Sequence, residues 1–191
     1  MTETFLTTLR SCTTLVATCA TIPLTGCLYE GDPGHIAGNS GATVSLDGVQ
    51  VELIHHSTTC KSTNSEGLVV EVGPDVEYPA DVVRELEASC ALAPHPGVEV
   101  HIEDQAVIFD FSNIEEPGRF PDAEFEGYIL HIVHTEDAPL LVAAVVDWET
   151  TTMDVGEDAL SYDVDQVAIN LAGRPFDSNS FVKVDLFLGR L

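Results

Sequence analysis

From residue 42 onward, apolar and polar positions alternate in short runs. Residues 42–46 and 49–54 each alternate and are joined by Asp47-Gly48, a dipeptide suited to a tight hairpin turn. Residues 68–72 form a further strand candidate. In the next run Val98, Val100 and Ile102 alternate with Glu99, His101 and Glu103. Strands are also predicted over 106–111, 128–133, 140–146, 166–171 and 181–188, separated by turn-rich or acidic loops. The run LLVAAVV at 140–146 has no polar face, which predicts a central strand covered on both sides. Val182, Val184, Leu186 and Leu188 alternate with Lys183 and Asp185, and this strand is expected to close the sheet. One helix interrupts the pattern at 80–92, where Val82, Val83, Leu86 and Cys90 recur at helical spacing between Pro79 and Pro94. The expected fold is mostly β: an antiparallel β-sandwich with one short helix.

The first 26 residues, MTETFLTTLRSCTTLVATCATIPLTG, break with that pattern. Arg10 is their only basic residue, and the apolar segment at 12–24 is shorter than the roughly 20 residues a bilayer span needs. Its length suits the apolar region of a signal peptide. Its threonines, its Pro23 and the lack of a polar face at helical spacing argue against a first buried helix.

The segment ends on Leu24-Thr25-Gly26-Cys27, which resembles the lipobox of bacterial lipoprotein signal peptides. That resemblance implies cleavage after Gly26, a diacylglycerol on the Cys27 thiol and acylation of the new amino terminus. Leu28, rather than Asp, after the cysteine resembles lipoproteins sorted to the outer membrane. Several acyl chains would moor the protein firmly, since each buried CH₂ adds about 0.8 kcal/mol. An ordinary secretory leader is the alternative. The expected organisation is a signal peptide at 1–26, a flexible tether at 27–41 rich in Gly, Asp, Pro and Ser, and one β-sandwich-like domain at 42–191. The expected location is the cell envelope, lipid-anchored at the outer membrane on its periplasmic or surface face.

The chain has five cysteines. Cys12 and Cys19 lie in the leader and Cys27 would carry lipid, which leaves Cys60 and Cys90 as an even pair in an exported chain. One disulfide is the expectation. Two thiols so far apart, without a CxxC, make a poor zinc site.

Charge narrows the partners. Asp and Glu number 32 against 7 Lys and Arg, a formal net charge of −25, while the 45% hydrophobic content keeps the chain in the globular class. Such a surface repels nucleic acid and anionic lipid headgroups, so the membrane contact expected is through the N-terminal lipid alone. Between Arg119 and Arg174 there are 12 acids and no cation. Within that stretch Asp154, Glu157 and Asp158, near Gly156, and then Asp163 and Asp165, offer the hard oxygen ligands that suit Ca²⁺.

Signatures of catalysis are missing: no GxSxG, HExxH, P-loop or GxGxxG pattern occurs. Glu99, His101 and Glu103 share one strand face and read as a solvent-facing polar stripe. His55 and His56 are adjacent and must point to opposite faces, as must His131 and His134. Trp148 with Tyr128 and Tyr162 could form a carbohydrate-stacking platform, or Trp148 could pack at the end of its strand. The sequence therefore points to a lipid-anchored envelope protein of structural or binding-accessory type. The alternatives are a Ca²⁺-assisted module that binds carbohydrate or protein, and a hydrolase built on a carboxylate pair about 5 to 9 Å apart.

Overall fold

The structure is a computed structural model that describes residues 44–60, 67–88 and 96–190. The leader, Cys27, the tether and Cys90 lie outside the described residues.

The chain opens with β1 (Gln50–Ser57) and β2 (Leu68–Glu71), followed by the helix α1 (Ala80–Glu87). Then come β3 (Glu99–Glu103), β4 (Ala106–Asp110), β5 (Gly118–Arg119), β6 (Glu126–Ile132) and β7 (Leu140–Val146). A short 3₁₀ turn (Glu157–Ala159) leads into β8 (Leu160–Asp163), β9 (Gln166–Asn170), β10 (Pro175–Phe176) and β11 (Phe181–Gly189). These strands form a five-stranded sheet in the order β2-β1-β6-β9-β8, a four-stranded sheet in the order β3-β4-β11-β7, and a two-stranded ribbon of β5 and β10. Every pairing is antiparallel. The fold is the antiparallel β-sandwich with one short helix that the alternation predicts.

Alternation decides what each strand buries. Val51, Leu53, His55 and Ser57 of β1 stand opposite Ile132, Leu130, Tyr128 and Glu126 of β6, and all eight are buried. The facing layer contributes Val100, Phe109, Val182 and Val184 to the same core. Phe109 of β4 and Tyr128 of β6 stack across the two layers with ring centroids 5.5 Å apart. Phe111, Phe120 and Phe176 fill the end of the sandwich beside the β5–β10 ribbon.

Four expectations are corrected. Residues 44–46 are not a strand: Asp47-Gly48 does turn, with Gly48 at φ 73°, but the Leu46 N–H donates to Asp104 O instead of pairing with β1. The LLVAAVV strand is an edge strand, not a central one, and Val142 and Val145 are exposed. β11, expected to close the sheet, sits inside it between β4 and β7. The described helix ends at Glu87, and its buried positions are Val83 and Glu87, with Val82 and Leu86 only half-buried. Helical periodicity located the buried side of α1, but a carboxylate occupies its last place.

Candidate functional site

The proposed Ca²⁺ ligands fall at opposite ends of one short strand. Asp154, Glu157 and Asp158 lie before β8, whereas Asp163 ends it and Asp165 sits in the turn to β9. A side-chain carbon added at Gly156 would meet both Asp158 Oδ1 and Arg174 Nη2, so a protein cation already stands beside that loop. At the other end, Asp163 turns back to accept the Val164 N–H at 2.7 Å, and Asp165 Oδ2 lies 3.4 Å from His131 Nε2. Among the described residues no three His, Cys, Asp or Glu side chains gather to hold a metal ion.

The densest chemistry lies inside the sandwich. His55 of β1 donates from Nε2 to Glu126 Oε1 of β6 at 3.0 Å, and both side chains are buried. Glu126 Oε2 finds no hydrogen-bond donor among the described residues. The ring of Tyr128 lies 5.5 Å from that of His55, and the Tyr128 hydroxyl donates to Glu87 Oε1. The second oxygen of Glu87 accepts the Gly97 N–H at 3.1 Å. Burial raises the Glu87 carboxyl to about 7, although the bonds from Tyr128 and Gly97 and the nearby His55 and Arg84 favour its ionised form. Burial, reinforced by the two carboxylates, holds the Tyr128 hydroxyl well above its ordinary value.

Sequence reasoning passes over this cluster because glutamate usually faces water and nothing local ties Glu87 and Glu126 to His55 and Tyr128. The phase of the pattern carried the signal. His55 shares the inward phase of Val51 and Leu53, Glu126 that of Tyr128 and Leu130, and Glu87 lies one helical turn from Val83. Glu87 has the raised pKa of a general acid, but it is sealed from solvent and does not offer the open cleft that a carboxylate-pair hydrolase needs.

The other candidates separate. Glu99 accepts from Asn113, Glu103 from Lys183 at 3.1 Å, and His101 Nδ1 lies 3.0 Å from the largely buried Glu77, so each is engaged by its own neighbour. A groove of about 540 Å³ opens there, lined by Asp47, His101, Glu103, Asp104, Lys183 and Asp185. His55 is buried and His56 exposed, as adjacency on a strand requires. The stacking platform fails, because Tyr128 is fully buried while Trp148 and Tyr162 are half-exposed. Cys60 ends the turn after β1; its expected partner Cys90 and the lipidation residue Cys27 fall outside the described residues. Among the described residues no helix is long and apolar enough to cross a membrane. No protein-family model matches this chain, and no curated protein or solved structure proved similar to it.

Proposed function

We propose that this chain is a lipid-anchored protein of the cell envelope whose β-sandwich acts as a structural or binding accessory. The observation that carries this reading is Leu24-Thr25-Gly26-Cys27 at the end of a short apolar segment with a single basic residue ahead of it. Residues 27–41 would then connect the lipid to the sandwich. A Cys60–Cys90 disulfide belongs to the same reading, since such bonds persist outside the reducing cytosol. Its support is indirect but specific. Cys60 follows the end of β1 by three residues and Cys90 follows the end of α1 by three. Those two ends already meet through Tyr128, which donates to Glu87 and stands opposite His55.

The test is intact mass with detergent partitioning, comparing wild type with Cys27→Ala in a bacterium that exports lipoproteins. The wild type is expected to begin at residue 27, carry acyl mass and partition into detergent, and the variant to stay in water. A bare thiol at residue 27, or a mature first residue elsewhere, would remove the reading.

A further inference from the structure

Among the described residues, large hydrophobic side chains are exposed on β2, at Leu68 and Val69, and at Val76, but the larger group gathers along β7, β8 and β11. Val142 and Val145 of β7, Phe187 of β11, Tyr162 of β8 and Val164 just beyond it are between 46% and 64% exposed. They are neighbours in space. Phe187 stands opposite Ala143, and Val145 opposite Asp185, in the β7–β11 ladder. A carbon added at Gly189 would touch Val142, and the Leu141 N–H donates to Val164 O at 2.8 Å, which joins β7 to the end of β8. The strip therefore runs from β11 across β7 to β8. Its origin is the LLVAAVV run, which has no polar residue to turn outward on an edge strand. Single exposed apolar residues are ordinary, but a contiguous strip on a sheet edge marks a surface that something covers.

Carboxylates border this strip. Asp185 faces Val145 across the ladder, Asp163 and Asp165 flank Val164, and Asp147 follows β7 directly. Of the two cations here, Lys183 on β11 is engaged by Glu103, and Arg190, just past its end, lines a groove beside Glu136 and Asp137. A second copy of this chain would set these carboxylates against their own counterparts, and an anionic membrane surface would be repelled in the same way. We propose that the β7–β8–β11 strip docks a protein segment that is both apolar and cationic, its hydrophobic side chains covering Val142, Val145 and Phe187 and its lysines or arginines meeting the acidic rim. This assignment uses only the folded sandwich and stands whether or not Cys27 carries lipid.

The test titrates the full-length protein with a synthetic peptide of alternating valine and lysine. Binding is followed by peptide anisotropy and by the fluorescence of Trp148, the single tryptophan, two residues beyond β7. Saturable binding is expected. It should weaken at least tenfold for Phe187→Ser or Val145→Lys, and at least tenfold for a serine–lysine peptide of equal charge. Both positions are exposed, so melting temperatures should show that the variants keep their fold. Equal affinity for the serine–lysine peptide, or affinity unchanged by both substitutions, would overturn the proposal. So would a wild-type dimer that Val145→Lys dissolves, which would make a second copy the occupant. Adhesion to neutral phosphatidylcholine vesicles that Phe187→Ser abolishes would make the occupant a membrane.

Discussion

Two regions of this molecule invert the ordinary partition of residues, in opposite directions. Between β1, β6 and α1 the core holds an imidazole, two carboxyls and a phenol where hydrocarbon would be expected. Along β7, β8 and β11 the surface holds valines, a tyrosine and a phenylalanine where polar groups would be expected. Inside, the inversion is tolerated because the groups largely satisfy one another, His55 with Glu126 Oε1 and Tyr128 and Gly97 with Glu87, leaving Glu126 Oε2 as the buried side-chain oxygen without a donor among the described residues. Outside, no comparable compensation exists within the described chain. A buried charge needs its partner in the fold, whereas an exposed hydrocarbon strip finds its partner beyond it.

The sharpest way to break this contrast is to remove one half of the buried pair. His55→Ala leaves Glu126 in the core with neither oxygen paired, and a loss of about 3–5 kcal/mol is expected in urea unfolding. Replacing the pair together, with His55→Leu and Glu126→Met, should recover most of that loss, because the charge to be compensated is gone. A single-variant loss below about 1 kcal/mol would mean that water reaches the cluster.

Next in size is the pH response. Glu87 moves from its ordinary 4.5 to about 7 on folding, so between those values the folded state holds a proton that the unfolded chain releases. Stability from this group is fully present below pH 4.5 and is lost as the pH rises through 7, by up to about 3 kcal/mol. Chemical denaturation at pH 5 and pH 8 should show that fall in the wild type, and Glu87→Gln should flatten it. Equal slopes in the two proteins would assign the response to other groups.

The exposed strip should behave in the opposite sense. Phe187→Ser and Val145→Lys are expected to change stability by less than about 0.5 kcal/mol while altering binding. A larger loss would show that the strip is part of the core after all.

The smallest effect is expected from Ca²⁺. Melting temperatures in calcium and sodium chloride of matched ionic strength should agree, because screening alone relieves the acid repulsion. An excess rise with Ca²⁺ would instead favour a Ca²⁺-assisted module using Asp154, Glu157, Asp158, Asp163 and Asp165.

Much of the sandwich is legible in the sequence, since strand alternation is local. The predicted runs at 140–146, 166–171 and 181–188 differ from β7, β9 and β11 by at most one residue at an end. Strands β5 and β10 are two residues each and are defined by pairing with each other, Gly118 with Phe176 and Arg119 with Pro175, which no local pattern signals. The acidic residues of 154–165 are adjacent in sequence, yet β8 holds their two groups apart. Proximity along a chain is a poor measure of distance once a strand, rising roughly 3.3 Å per residue, lies between. The buried cluster is the converse case: Glu87, His55 and Glu126 are far apart in sequence and are joined by packing.

What the residues dictate on their own is therefore periodic or compositional: which segments are extended, which face of each turns inward, where Asp47-Gly48 turns, and the excess of acid over base. The three-dimensional arrangement alone settles rank and company. Whether a strand is central or at the edge depends on which other strands reach its two flanks, and that is why LLVAAVV ends at the edge and β11 between two neighbours. Whether a carboxylate meets water, a lysine or an imidazole depends on contacts between residues distant in the chain. Periodicity is set by covalent geometry within a few residues, while neighbours across the core are chosen by the closure of the whole fold.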